Sequence, residues 1–278
     1  MKKLYGVIGC PIQQTMSPLI HNDAFLHLGM DALYHAFHVE PGDLEDAVKG
    51  MKALGVSGFN VTIPHKESII PLLDEVDEHA RRIGAVNTVV CENGKLKGYN
   101  TDGPGYVEAL KQVTQTSDKR MLIIGAGGAA RAIIYSLLQE PGVTADILNR
   151  TPEKAISLIE EFSFHDRCRA VTMEEAVRSL PTYDVIVQTT SVGMHPHVEE
   201  TPIPLSTLKK NAVVSDIIYN PLETRLLNEA RLKGAVVQNG VQMFAYQAAL
   251  AFQQWTGNVP DVERMETLVT ERLGGTSC

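Results

Sequence analysis

Residues 121–138 constrain the fold of this chain more than any other stretch. The apolar run Met121-Leu122-Ile123-Ile124 leads directly into Gly125-Ala126-Gly127-Gly128-Ala129-Ala130 and then into an Ala-rich helical stretch through Leu138. A strand, a glycine turn and a helix in that order match the pattern G-x-G-x-x-G/A, which belongs to the first βα unit of a parallel, dinucleotide-binding sheet. In this reading Gly125 permits the tight turn, Gly127 lets the backbone approach a pyrophosphate, and the small Ala130 lets the helix lie close on the sheet. The helix N-terminus then faces the anion, so Gly125, Ala126, Gly127, Gly128 and Ala129 are expected to cradle it. The next apolar stretch, Ala145 to Leu148, ends in Asn149-Arg150-Thr151, where an NAD-binding chain usually carries an acid for the ribose 2′-hydroxyl. A cation suits a 2′-phosphate instead. The expected cofactor is therefore NADP(H), with Asn149, Arg150, Thr151 and Lys154 at its adenosine end.

At 278 residues the chain has room for two domains, each with its own core. Its formal net charge of −8, without a basic block or stripe, argues against a nucleic-acid surface. Cys10, Cys91, Cys168 and Cys278 lack C-x-x-C spacing, so neither a disulfide framework nor a zinc site is indicated, and a reducing cytoplasm is expected. The apolar run after Lys2-Lys3 is too short for a signal segment, and no stretch approaches the roughly 20 apolar residues that span a bilayer. No membrane or nucleic-acid partner is expected, and a homodimer is left open.

The pattern along the chain is α/β throughout. Strand candidates Tyr5 to Ile8, Ala32 to Val39, Gly58 to Val61 and Val86 to Cys91 alternate with helical segments Leu19 to Leu28, Leu44 to Leu54 and Asp74 to Ile83. A second alternation uses Met121 to Ile124, Ala145 to Leu148, Val185 to Gln188, Val213 to Ile217 and Ala235 to Val237 as strands, a doubly wound layout. The helical segments Val241 to Trp255 and beyond Pro260 are expected to return to the first domain. This gives a substrate and catalytic domain of 1–103 plus 240–278 and a Rossmann-like NADP domain of 104–239, with hinges at Gly103-Pro104-Gly105 and Asn239-Gly240.

Four polar segments of the first domain fall at expected strand ends or helix starts: Thr15-Met16-Ser17-Pro18, Asn60-Val61-Thr62-Ile63-Pro64-His65-Lys66, Ala85-Val86-Asn87-Thr88 and Asn100-Thr101-Asp102-Gly103. Strand ends are where open α/β sheets bind ligands. Pro64 is read as opening a helix that carries Lys66 in its first turn. These segments, with Gly9-Cys10-Pro11-Ile12 and His21-Asn22 before them and Tyr219-Asn220-Pro221, Gly240, Met243 and Gln247-Ala248-Ala249 after them, resemble the shikimate dehydrogenase family in order and over nearly the whole chain.

The resemblance implies reversible NADP-dependent reduction of 3-dehydroshikimate to shikimate, on the route to chorismate and the aromatic amino acids. It implies Lys66 and Asp102 as the catalytic pair, leaving open which of them moves the proton. Thr15, Ser17 and Tyr219 would hold the substrate carboxylate, and Asn60, Thr62, Asn87 and Gln247 would read the ring hydroxyls. Thr190, Gly240 and Met243 would line the cofactor. A polar cleft of this kind can satisfy each donor and acceptor of a polyhydroxy acid.

The chain departs from the family pattern at three places. Gln14-Thr15 stands where His-Ser is usual, Gln188 where Asn is usual, and Arg225 where Pro is usual. Thr15 keeps the hydroxyl but stiffens χ1. An NAD-using quinate or shikimate paralogue, one that accepts several cyclohexene acids, a methylenetetrahydrofolate dehydrogenase and a non-catalytic NADP sensor are the rival readings. Arg150 speaks against the first and the pair Lys66 and Asp102 against the last. His195-Pro196-His197 reads as a loop rather than a metal site, His65 as a packed or solvated residue, and Trp255 as core or interdomain packing; no resident metal is expected.

Overall fold

The computed structural model describes residues 2–274, so Cys278 and the end of the expected 240–278 segment lie outside the described residues. The fold is α/β, with two six-stranded sheets. The chain forms two compact units, one of residues up to Gly105 with Ala245–Glu271, the other built on Tyr106–Phe244.

In the first unit the elements run β1 (Lys3–Gly9), α1 (Ser17–His27), β2 (Ala32–His38), α2 (Leu44–Ala53), β3 (Gly58–Val61), β4 (Glu75–Val76), α3 (Glu78–Ile83), β5 (Thr88–Glu92) and β6 (Lys95–Tyr99). Helix α4 (Asp102–Lys111) follows. The sheet order is β2-β1-β3-β5-β6-β4. β1 is parallel to β2 and β3, whereas β5 runs antiparallel to both β3 and β6. That single reversal matters for the site, because the start of β5 then lies beside the ends of β3 and β6. Asn60 is opposite Thr88, and Thr88 is opposite Tyr99.

One face of this sheet buries Ile8, Phe59, Val61 and Val89 against Val48 and Met51 of α2. A second packing group is aromatic: Tyr5 stacks on Phe25 at 5.0 Å, Phe25 meets Phe252 at 4.9 Å, and Trp255 donates its indole N–H to the Val89 carbonyl at 2.9 Å. Trp255 is core, as expected. Asn22 fastens α1 to β2, donating to the Pro18 and Tyr34 carbonyls at 2.7 and 2.9 Å and accepting from Tyr34 N at 2.8 Å.

The second unit contains β7 (Arg120–Ile124), α5 (Gly128–Leu137), β8 (Thr144–Leu148), α6 (Pro152–Phe162), β9 (Cys168–Val171), α7 (Met173–Ser179) and β10 (Val185–Gln188). β11 (Val213–Asp216), α8 (Arg225–Leu232) and β12 (Val236–Gln238) complete it. The last two helices are α9 (Gly240–Thr256) and α10 (Val262–Arg272). The sheet is parallel throughout, in the order β12-β11-β10-β7-β8-β9. Both faces of β7 are apolar, because successive side chains alternate between them. Met121 and Ile123 pack with Ile133, Ile134 and Leu137, while Leu122 and Ile124 join Ile186, Val214 and Leu226.

Three details differ from the sequence expectation. The stretch 74–83 is not one helix: Glu75–Val76 pairs with β6, and Asp77 then caps α3 by accepting from His79 N at 3.0 Å. β6 and β9 are additional strands, short and partly charged, so their alternation is weak in sequence. Gly103-Pro104-Gly105 lies in the first turn of α4, a position that tolerates proline. Pro64 opens no helix; residues 63–68 form turns, so Lys66 has no helix of its own.

Candidate active site

In the first unit the polar row at the sheet end converges on Lys66 and Asp102. Lys66 Nζ lies 2.6 Å from Asp102 Oδ2. Its backbone is fixed by Val86 N, which donates to the Lys66 carbonyl at 2.8 Å. Asp102 opens α4, and Asn100 Oδ1 accepts from the backbone N–H groups of Asp102 and Gly103 at 3.0 and 3.4 Å. Asp102 Oδ1 accepts from Asn87 Nδ2 at 2.8 Å, so both carboxylate oxygens are engaged.

The network continues inward. Asn87 Nδ2 also donates to Thr101 Oγ1 at 3.0 Å, and Asn87 Oδ1 accepts from Thr101 N and Thr88 Oγ1 at 2.8 and 2.9 Å. Asn60 Nδ2 donates to the Asn87 carbonyl and to Thr88 Oγ1 at 3.0 and 3.1 Å, and Tyr34 Oη donates to Asn60 Oδ1 at 2.7 Å. Tyr34 is fully enclosed, and burial holds its phenol well above the usual range. Thr15 Oγ1 donates to Ser17 Oγ at 3.2 Å at the start of α1. Thr62 is half-buried just beyond β3. Gln247 lies on α9 where that helix passes α4; a Cβ at Gly105 would stand 2.6 Å from Gln247 N.

Tyr34, Thr88, Asn100 and Thr101 have structural parts that the sequence did not assign. Thr88, Asn100 and Thr101 stand inside the quoted polar segments and were legible as candidates; Tyr34 sits in a strand with no distinguishing neighbour. His65 is packed, its Nε2 2.7 Å from the Val39 carbonyl.

In the second unit the sheet order reverses between β7 and β10, the point at which such sheets bind ligands beyond their strand ends. Gly125 follows β7 with φ +118°, and a Cβ there would collide with the Thr189 hydroxyl. That hydroxyl is committed, donating to the Ile124 carbonyl at 2.7 Å. In front of Gly127 and Gly128 an added Cβ would meet nothing within 4 Å. Ala126 and Ala129 flank this open cradle. Asn149 Nδ2 donates to the Thr151 carbonyl at 2.8 Å, shaping the turn before α6. Arg150 and Lys154 are exposed. Among the described residues the Arg150 side chain has no hydrogen bond or ion pair, so its donors are available. An open backbone cradle fits a dinucleotide pyrophosphate, and an available guanidinium beyond the adjacent strand fits a 2′-phosphate.

Two departures acquire roles. The Gln188 amide pins the following loop: its Nε2 donates to Thr190 Oγ1 and the Val192 carbonyl, each at 3.0 Å, and its Oε1 accepts from Thr190 N at 3.1 Å. Arg225 pairs with Glu229 at 2.8 Å and donates to the Glu199 carbonyl at 2.8 Å, tying that loop to α8. Tyr219 packs on Phe244 with ring centroids 5.3 Å apart, and burial raises its phenol. Asp216, at the end of β11, accepts from Ile218 N and Thr224 Oγ1 at 3.0 and 2.8 Å, yet burial pushes its carboxyl up to about 7. Gly240 opens α9 and donates to the Ile218 carbonyl at 2.9 Å, and Met243 packs partly buried on the core.

A parallel sheet in this order, with its glycine cradle at the switch point, is the architecture of nicotinamide-dinucleotide oxidoreductases, and the chain is of that class. Comparison with known proteins narrows the class. The shikimate dehydrogenase substrate binding domain matches residues 7–89, shikimate / quinate 5-dehydrogenase residues 107–219, and the shikimate 5'-dehydrogenase C-terminal domain residues 240–270. A shikimate dehydrogenase (NADP(+)) of Bacillus cytotoxicus is 57% identical over 277 residues, 99% of this chain and 100% of the relative. A solved shikimate dehydrogenase in complex with NADP+ is 41% identical with a TM-score of 0.91, covering 98% of this chain and 96% of that one. The shikimate 5-dehydrogenase of Thermus thermophilus, in complex with NADP(H) and shikimate, is 37% identical with a TM-score of 0.89, over 98% and 99% of the two chains. The chain belongs to the shikimate dehydrogenase family.

Proposed function

We propose that this chain catalyses the reversible, NADP-dependent reduction of 3-dehydroshikimate to shikimate, a step of aromatic amino-acid biosynthesis. The observation that carries the reading is the Lys66–Asp102 contact, set in a network of amides and hydroxyls. NADPH, when held by Gly125 to Ala129, Asn149, Arg150, Thr151, Lys154, Thr190, Gly240 and Met243, supplies the hydride to the ketone carbon. Lys66 donates a hydrogen bond to the ketone oxygen and transfers its proton as negative charge develops there, which leaves the alcohol and a neutral amine that solvent reprotonates. Asp102 positions Lys66 with one oxygen while Asn87 holds the other.

Thr15, Ser17 and Tyr219 bind the carboxylate; Asn60, Thr62 and Gln247 bind ring hydroxyls. Asn87 is assigned to a ring hydroxyl as well, and its amide also donates to Asp102. Residues 1–103 with 240–278 form the substrate domain and 104–239 the cofactor domain in this reading. No helix among the described residues is long and apolar enough to cross a membrane. We assign the enzyme to the cytoplasm and retain a homodimer for test by sedimentation.

Absorbance at the nicotinamide band tests the function: purified protein with shikimate and NADP is expected to generate NADPH, with NAD and quinate much poorer. Turnover with quinate and NAD in preference would overturn the substrate and cofactor assignment, and turnover with none would favour an NADP sensor.

A further inference from the structure

The parallel pairing of β1 with β2 places Gly9 opposite His38, and Val39 N donates to the Gly9 carbonyl at 3.1 Å. The residues just past this last rung therefore meet. Cys10 follows Gly9, and Glu40 stands two residues beyond His38. Cys10 Sγ is 3.3 Å from Glu40 Oε2 and 3.7 Å from His38 Nε2, and His38 Nε2 is 2.8 Å from Glu40 Oε1. Their ligand atoms all lie within 4.8 Å of one another. Cysteine spacing alone indicated no metal, because two of the three groups come from a different strand.

Tetrahedral zinc bonds sulfur at about 2.3 Å and nitrogen or oxygen at about 2.0–2.2 Å, which sets neighbouring ligand atoms roughly 3.2–3.7 Å apart. The two sulfur distances fall in that range; Glu40 turns Oε2 to Cys10 and Oε1 to His38, so binding through one oxygen requires its carboxylate to rotate. One thiolate, one imidazole and one carboxylate suit zinc rather than magnesium or calcium, which prefer all-oxygen sets. We propose that Cys10, His38 and Glu40 form a zinc-binding site, with a fourth position left to water. Cys10 and His38 are half-buried to exposed, so an ion can enter without unfolding. Bound zinc would clamp the start of the loop leading to Thr15 and Ser17 onto the end of β2.

The test is metal titration of the chelator-stripped full chain with Co²⁺ and then Zn²⁺, read by absorbance, with no dependence on enzymatic activity. One equivalent of Co²⁺ should give a thiolate-to-cobalt charge-transfer band that zinc abolishes. Cys10→Ser should lose the band and weaken zinc binding by at least roughly 10- to 100-fold, the loss that even an outer-shell change causes. Zinc should raise the melting temperature of the wild type and not of Cys10→Ser. Glu40→Gln, at an exposed position, gives an independent variant expected to keep the band and weaken the affinity. A band that survives in Cys10→Ser, a cobalt complex with no thiolate band, or equal zinc affinity in wild type and Cys10→Ser would overturn the proposal.

Discussion

The two sheets carry their polar chemistry in opposite ways. At the end of the first, the groups are side chains, all buried except the half-buried Lys66, and already bonded to one another: Tyr34 to Asn60, Asn60 to Thr88, Thr88 to Asn87, Asn87 to Asp102 and Asp102 to Lys66. At the switch point of the second, the assets are backbone geometry at Gly125, open space before Gly127 and Gly128, and the guanidinium of Arg150, which has no partner among the described residues. A preformed network holds a proton donor at a fixed place, as bond-making requires. A backbone cradle with one cation binds a large anion and does little else. We therefore assign turnover to the first region and cofactor choice to the second.

The sharpest expected break is at Lys66. Lys66→Ala should lower kcat at least about 100-fold, the lower end for general acid and electrostatic assistance. Steady-state rates across pH measure it. Asp102→Asn should also reduce kcat, by loosening Lys66, with a smaller change in the shikimate KM.

Next comes Arg150. Loss of a charge-assisted hydrogen bond costs about 1.5–3 kcal/mol, so Arg150→Ala should raise the NADP KM about tenfold or more and leave NAD nearly untouched. Equal effects on both dinucleotides would remove its role as reader of the 2′-phosphate. Gln247→Ala is a smaller change: a neutral hydrogen bond is worth about 1 kcal/mol, which means a several-fold rise in the shikimate KM. A rise in the NADP KM instead would move Gln247 to the cofactor side.

The two regions should also respond to pH with opposite sign. His21, stacked against Tyr34 and fully buried, is pushed down to about 3 by burial from an ordinary value of 6.5. Between those values the unfolded chain takes up a proton that the fold refuses, so stability falls as pH drops from 6.5 toward 3, by up to about 1.4 kcal/mol per pH unit. Asp216 is raised from 3.8 to about 7, so the fold keeps a proton that the unfolded chain has lost. Its contribution is complete below 3.8 and is lost as pH rises toward 7. Urea unfolding over a pH series should show His21→Phe flattening the acid loss and Asp216→Asn flattening the loss toward neutral pH.

Much of this was legible in the sequence, for identifiable reasons. The 121–130 run reads as a cofactor turn because a strand, glycines and a helix must arrive in fixed order, and the substrate region reads through ordered polar segments. The joint between β3, β5 and β6 did not, because Lys95 to Tyr99 alternates lysine with small and apolar residues and its antiparallel partner is set by tertiary pairing. Lys66 was expected on a helix since Pro64 suits a first turn; the tie from Val86 N holds it in a turn instead. The Cys10, His38 and Glu40 cluster depends on strand register, which local spacing does not encode.

The most direct test of the division between the two regions is to titrate Lys66→Ala with NADP by fluorescence alongside its turnover. The expected result is NADP affinity equal to wild type with kcat reduced at least about 100-fold. Turnover close to wild type, or loss of NADP affinity in step with turnover, would contradict it.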